Sequence, residues 1–316
     1  MRIVIAGGSG FLGRMLTDAL SASGHRIQIL TRQPSVANPG ATGQHEHIHW
    51  NPDGTANGSW TSPCAGADLI VNLAGESIAA GRWTAARKAR LRGSRVFATR
   101  SLVRFIGESE QPPSALVSAS AIGYYGDRGG DILDEDAGPG RDFLAELASE
   151  WEQEALAAQS GKTRVALLRT GIVLDPRDGA LAKMLAPFRL FAGGPFGSGR
   201  QFVSWLHRDD WVSLARWAVE NPGVRGPLNL TAPNPVTNAE FARALGRVLG
   251  RPAILPAPGF ALKLVLGEMA APLLLHSQRV VPARALARGF RFAHPDLDEA
   301  LADLLRHSGS DTASSR

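Results

Sequence analysis

A chain of 316 residues, 44% apolar and 20% charged, is long enough to bury a large core and is not composed like a disordered segment. Its net charge of +5 comes almost wholly from scattered arginines, with Lys88, Lys162, Lys183 and Lys263 as the lysines, so neither a basic tail nor a nucleic-acid partner is expected. The single cysteine, Cys64, excludes an intrachain disulfide and a CxxC site, so no metal is expected and a reducing, cytoplasmic setting fits.

The apolar run at residues 3–6 is too short for an export signal and reads as a strand over residues 2–6. Leu12, Met15, Leu16, Ala19 and Leu20 then recur at helical spacing, with Gly24 placed as a C-cap. Further strands are predicted at 26–30, 68–73, 115–119 and 165–169. Residues 33–61 form loops around a short strand at 45–50. Strands alternating with amphipathic segments predict βαβ units and a parallel sheet.

Beyond residue 169 the texture changes. Gly193, Gly194, Pro195, Gly197 and Gly199 make a glycine-rich loop, followed by residues 203–211 and a buried strand at 228–230. Helices are predicted at 237–249 and 295–305, with Asn238 and Asp296 near their starts. The apolar stretch 260–275 is broken by Lys263, Glu268 and Pro272, so no membrane span is expected. The expected organisation is a dinucleotide-binding domain over 1–175 with a strand return near 203–232. A smaller substrate lobe would take 176–202 and 233–306, and residues 307–316 a flexible tail.

Gly7, Gly8, Ser9, Gly10, Phe11, Leu12 and Gly13 follow the first strand and open the first helix, satisfying GxGxxG. Such a turn brings backbone amides and a helix N-terminus against a pyrophosphate. At the end of the second strand, where a carboxylate would bind the ribose of NAD, stand Thr31 and Arg32. No acid occurs between Asp18 and Glu46. The missing acid and the cation favour NADP(H) over NAD(H) as cofactor.

Together with Asn72-Leu73-Ala74-Gly75, Ser118-Ala119-Ser120 and Arg169-Thr170-Gly171-Ile172-Val173-Leu174, this turn resembles the extended short-chain dehydrogenase/reductase superfamily. Within it the chain is similar to the NAD-dependent epimerase/dehydratase family and its sugar-nucleotide epimerase-like group. The narrower match is carried by Arg82-Trp83, Ser94-Arg95, the run Ser120 to Gly126, Trp151-Glu152, Gly197 to Gln201, and Ser204-Trp205-Leu206-His207. Gly267-Glu268 and Val280-Val281-Pro282-Ala283 resemble that group's C-terminal domain of unknown function. The resemblance covers residues 1–306.

It implies an α/β Rossmann fold, a doubly wound parallel sheet with a smaller C-terminal substrate lobe. Gly7, Ser9, Gly10, Phe11, Leu12 and Gly13 would hold the pyrophosphate, Arg32 the adenosine end, and Leu73, Ala74 and Gly75 the riboses. Ser120, Gly171, Ile172 and Val173 would lie near the nicotinamide.

Members of the superfamily use a serine with a YxxxK pair on one helix, the lysine and cofactor lowering the tyrosine pKa for proton transfer. Here the tyrosines are Tyr124 and Tyr125, and four residues beyond them stand Arg128 and Gly129. Where the resemblance places the pair, the chain has Phe143 and Leu147. Three readings follow. Ser120, Tyr125 and Tyr124 serve a reductase or epimerase, with His207, Asp142 or Glu146 as further acids; or water supplies the proton; or the chain is a non-catalytic NADP(H) sensor or interaction protein.

Arg82, Arg87, Lys88, Arg90, Arg92 and Arg95 crowd one amphipathic segment, with Lys88, Arg92 and Arg95 on a shared face. This is either a solvated surface or a wall for an anionic small-molecule substrate. Arg82, Arg200 and His207 are the substrate-contacting candidates. The sequence is compatible with an oligomer.

Overall fold

The computed structural model describes residues 1–33 and 45–310, with side chains as far as Arg306. Part of the predicted 33–61 loop region, residues 34–44, and residues 311–316 of the predicted tail lie outside the described residues.

The chain opens with β1 (Arg2–Ala6), α1 (Phe11–Ala22), β2 (Arg26–Thr31) and β3 (Glu46–His49). A one-turn helix, α2 (Thr61–Cys64), leads to β4 (Leu69–Asn72), the long α3 (Ala85–Glu108) and β5 (Ala115–Ala121). Then come β6 (Ile132–Leu133), α4 (Phe143–Leu156), β7 (Arg164–Thr170), β8 (Ile172–Leu174), α5 (Gly179–Arg189), β9 (Phe202–Val203) and β10 (Trp205–His207). The rest is α6 (Arg208–Glu220), β11 (Gly226–Leu230), β12 (Val236–Thr237), α7 (Asn238–Leu249), α8 (Gly259–Leu266), β13 (Arg279–Val280), α9 (Ala283–Ala287) and α10 (Leu297–Ser310).

Seven strands form one sheet in the order β11-β7-β5-β4-β1-β2-β3. The pairs from β3 through β2, β1 and β4 to β5 are parallel. Ile3, Val4, Ile5 and Ala6 are all buried, as expected of a central parallel strand covered on both faces. The chain runs outward from β1 in both directions, to β2 and β3 on one side and to β4 and β5 on the other. This is a Rossmann sheet, with its switch point between β1 and β4.

By contact density the chain forms two compact units. The first comprises Met1–Ala121, Leu147–Arg169 and Val212–Leu228; the second comprises Ile122–Glu146, Thr170–Trp211 and Asn229–Arg316. The first unit's core gathers Trp50, Trp60, Cys64, Leu102, Phe105 and Ile106 with strand residues Val4, Ile70, Leu116 and Leu167. Burial pushes the Cys64 thiol up to about 12, so it behaves as a small apolar side chain.

In the second unit, small pairings replace a large sheet: β10 with β8, β12 with β9, and β13 with β6. The glycine-rich loop and its neighbours pin the C-terminal segment. Gln201 donates to the Phe196 and Leu274 carbonyls, and the Ser204 hydroxyl donates to the Gln278 carbonyl while accepting from the Val280 amide. These bonds give the Gly197–Gln201 and Ser204 motifs a structural role.

Helix α7 is capped by Thr237 rather than Asn238: the Thr237 side chain accepts from the Glu240 amide, and Glu240 returns the bond to the Thr237 amide. Asn238 instead accepts from the Phe196 amide. Helix α10 runs through Ser310, so the first part of the predicted tail is helical. Among the described residues no helix is long and apolar enough to cross a membrane. Thr237→Ala is expected to remove about 1 kcal/mol of stability, read as a lower urea midpoint with an unchanged m-value.

Candidate active site

The first unit carries a groove of about 1000 Å³ along the carboxyl ends of β1, β2 and β4. It is lined by Gly7, Ser9 and Gly10 after β1, by Thr31 and Arg32 at the end of β2, by Trp50 after β3, by Leu73, Ala74 and Gly75 after β4, and by Arg90 of α3. Gly7 adopts φ +79°, and a Cβ there would sit 2.8 Å from the Leu73 carbonyl carbon. A Cβ on Gly13 would strike the Gly7 carbonyl oxygen. Both glycines are therefore demanded by close backbone approach, of the kind that lets a pyrophosphate reach the main chain.

Helix α1 starts at Phe11 with Gly10 as N-cap, and no side chain caps it. Its first-turn amides face no carboxylate of their own helix, since that turn holds no acidic residue. This donor set suits a phosphate.

The loop after β4 is held from beneath. Asn72 is fully buried, accepts from the Ala74 amide at 3.2 Å and donates to Thr99 Oγ1 at 2.9 Å. Thr99 also accepts from Trp151 Nε1 at 2.9 Å. The Ser94 hydroxyl accepts from the Glu76 amide, and Arg95 donates to the Glu76 carbonyl while lying over the Trp151 ring. Burial lowers the Arg95 pKa to about 10. Trp83 Nε1 donates to the Ile78 carbonyl at 2.9 Å. Trp83, Ser94, Arg95 and Trp151 thus serve to shape one groove wall.

Of the predicted cationic wall, Arg87 is paired with Glu76 and Arg92 with Glu150 at 2.8 Å, as is Arg100, further along α3, with Glu154 at 2.7 Å. Arg90 is exposed and lines the cofactor groove, a placement the sequence reading missed. Arg82 lies exposed in the turn before α3, and Arg200 lies exposed before β9 in the second unit.

Ser120, at the end of β5, donates to Glu152 Oε1 at 2.6 Å. Arg169 binds both oxygens of that carboxylate, each at 2.8 Å. All three residues are buried. The Ser120 proton is thus committed to a carboxylate, leaving the hydroxyl oxygen as an acceptor.

The tyrosine expectation needs correction at Tyr125. It is fully buried, and its hydroxyl donates to Asn229 Oδ1 at 2.8 Å. Asn229 in turn donates to the Val281 carbonyl, and its amide donates to buried Glu135. Tyr125 packs with Ile122, Leu133 and Val280, so it acts as a core residue. Tyr124 is half-buried and meets the Tyr125 ring edge-on at 5.4 Å. Gly171 donates its amide to the Leu230 carbonyl, and Ile172 and Val173 lie in β8 beside β10. Phe143 begins α4, and Leu147 is buried one turn on.

His207 also departs from the substrate role expected of it. It is fully buried, stacks on His294 at 3.8 Å, accepts from the Asp209 amide through Nδ1, and places Nε2 at 3.3 Å from Asp303. Donor atoms of His207, Asp209, His294 and Asp303 lie within 4.8 Å of one another. The Nδ1 acceptor role fits an imidazole proton on Nε2, toward Asp303.

The geometry defines a Rossmann-type dinucleotide-binding protein. The chain belongs to the NAD-dependent epimerase/dehydratase family, whose profile matches residues 3–230; a domain of unknown function, DUF1731, matches residues 257–304. It is 42% identical to the chloroplastic homolog of epimerase family protein SDR39U1 from Arabidopsis thaliana, over 97% of this chain and 87% of that protein. It is 39% identical to epimerase family protein YfhF of Bacillus subtilis, over 96% and 98% of the two chains. The crystal structure of human epimerase family protein SDR39U1 (isoform 2) with NADPH superposes with a TM-score of 0.85 at 36% identity, covering 97% of this chain and 99% of that one. Because the Arabidopsis relative is named chloroplastic, family membership does not carry a cytoplasmic location with it.

Two outcomes test these assignments. Arg169→Met leaves the Glu152 carboxylate buried without its cation and is expected to cost about 3–5 kcal/mol in urea unfolding. Burial, aided by the neighbouring His294, holds the His207 pKa below its ordinary value of 6.5. The unfolded chain therefore takes up the proton first, and the stability His207 lends above 6.5 is lost as pH falls. Between pH 7.5 and 5.5 the urea midpoint of His207→Gln should fall less than that of the natural protein.

Proposed function

We propose that this chain is an NADP(H)-dependent oxidoreductase or epimerase acting on a small molecule. The observation that carries the cofactor assignment is that Arg32 and Arg90 both line the groove. The one carboxylate among the groove's lining residues, Glu76, is ion-paired to Arg87 and does not offset them. Two guanidinium groups suit the 2′-phosphate of NADP(H), which NAD(H) lacks. The human relative crystallised with NADPH supports the same choice.

The pyrophosphate would lie on the amides of the Gly7–Gly13 turn, and the riboses along Leu73, Ala74 and Gly75. When bound, the nicotinamide would supply or accept the hydride; the protein's part is to hold it, keep water out and move the accompanying proton. Ser120 would accept a hydrogen bond rather than donate one. A cytoplasmic setting rests on the single buried cysteine.

Titration of the purified protein should give a lower Kd for NADPH than for NADH. Arg32→Ala should weaken NADPH about tenfold or more and Arg90→Ala should weaken it as well, with NADH little changed in either. Equal affinity for both nucleotides, or an unchanged NADPH Kd in both variants, would overturn the cofactor choice. A panel of carbonyl compounds and sugar nucleotides should contain one that drives NADPH oxidation or is epimerised; a wholly silent panel counts against turnover.

A further inference from the structure

The second unit gathers exposed apolar side chains in three neighbouring segments. Leu190 and Phe191 close α5 and are exposed, and Phe191 stands at φ +61°, a backbone conformation that disfavours a bulky side chain. The chain after α7 then runs along the glycine-rich loop. The Leu255 amide donates to the Gly193 carbonyl at 3.2 Å and the Ala257 amide to the Pro195 carbonyl at 2.9 Å, while a Cβ on Gly194 would strike the Leu255 carbonyl. This main-chain pairing brings exposed Ile254 and Leu255 to within a few residues of Phe191, and the Arg251 guanidinium lies over the Phe191 ring at 4.4 Å.

Helix α8 begins after three further residues. Apart from Lys263 it is apolar, yet none of its eight residues is buried. Phe260 and Leu264 lie one turn apart on the same face, with Val265 beside them, and all three are exposed. The seven large apolar side chains of these segments are each between 54% and 77% exposed. Scattered surface apolar residues need no explanation, but a gathering of this kind marks an interaction surface.

The charge around the cluster has one sign. Residues 179–200 carry Lys183, Arg189 and Arg200, residues 241–267 carry Arg243, Arg247, Arg251 and Lys263, and neither stretch holds an acid. Arg243, Arg247 and Arg251 line a groove of about 510 Å³ that also reaches Ile254. Arg247 is paired with Asp298, Glu240 is occupied in capping α7, and Glu268 stands just beyond α8. In a two-fold contact between copies the same patch meets itself and cation would face cation. An anionic surface instead satisfies the apolar cluster and its cationic border together.

We propose that this face of the second unit docks on an anionic phospholipid bilayer. Ile254, Phe260 and Leu264 enter the interfacial layer, and Arg243, Arg251 and Lys263 pair with lipid phosphates. With eight residues, α8 is too short to cross the bilayer and lies along its surface. The aliphatic stem of Lys263 runs beside the apolar face while its ammonium reaches the headgroups. This docking does not depend on which cofactor the first unit holds.

The test sediments the full-length protein with vesicles of phosphatidylcholine alone or mixed with phosphatidylglycerol. Binding to the mixed vesicles should be tighter by about tenfold or more, and added salt should weaken it. Phe260→Ser combined with Leu264→Ser, and separately Arg251→Glu, should each weaken it about tenfold or more, with circular dichroism and NADPH Kd unchanged. In the natural protein, mixed vesicles should also slow amide hydrogen exchange across residues 251–266, a readout that needs no variant. No binding to mixed vesicles, equal binding to both kinds, exchange unaltered over 251–266, or binding that survives both variants overturns the proposal. A dimer in analytical ultracentrifugation that the Phe260→Ser and Leu264→Ser pair dissolves overturns it too, because a second copy would then occupy the face.

Discussion

Between β1 and β4 the backbone of Gly7 runs so close to the Leu73 carbonyl that no side chain fits between them. That contact is set by the sheet, because Ala6 and Asn72 are paired in register and the chain turns away from the sheet just beyond each. Buried strand residues fix the register, the register brings the two turns together, and the absence of Cβ atoms at Gly7 and Gly13 leaves a floor of bare main chain. The groove depends on this arrangement, and so does the line from Asn72 through Thr99 to Trp151 that holds its wall. Substituting Gly7 would add strain at φ +79° as well as bulk.

What could be read from the sequence was what local physics dictates. The strand at residues 2–6, the glycine turn and the helix after it form from neighbours in the chain, and Arg32 was placed by counting to the end of β2. The strands at 26–30, 115–119 and 165–169 fall within β2, β5 and β7, and a short strand at 45–50 contains β3. Arg90 stood among the cations of that segment but not as a cofactor contact, because a run of cations does not say which of them face a groove. On α3, Arg87, Arg92 and Arg100 find carboxylates and Arg95 finds a carbonyl and an indole, leaving Arg90 to line the cavity.

Roles that depend on distant partners were not legible. Tyr125 carries a hydroxyl suited to proton transfer, yet its donor is spent on Asn229, far along the chain. His207 stood as a candidate substrate contact and instead ends a buried strand, stacked against His294 from the C-terminal region. Asp142 was noticed as an acid near the vacant tyrosine position, but nothing local pairs it with His276, whose Nδ1 lies 3.1 Å from its carboxylate. The C-terminal segment contributes that imidazole, and its presence follows only from tertiary packing.

Of the usual serine, tyrosine and lysine arrangement the chain keeps the serine as Ser120 and replaces the other two, and these features belong together. Lysine and tyrosine at 147 and 143 would put a cation and a phenol on one helix turn; leucine and phenylalanine turn the same stretch toward packing, and Leu147 is buried. With no lysine to balance charge, a carboxylate close to Ser120 would be costly, and Glu152 is neutralised by Arg169 instead, through two hydrogen bonds in a buried site. Ser120 then donates its hydrogen bond to that carboxylate, leaving its oxygen as an acceptor toward any other group. In the proposed reaction a proton for a substrate oxygen would come from outside this trio. Such a source needs a titratable group open to solvent or to a cavity, a requirement that fully buried Tyr125 and His207 do not meet.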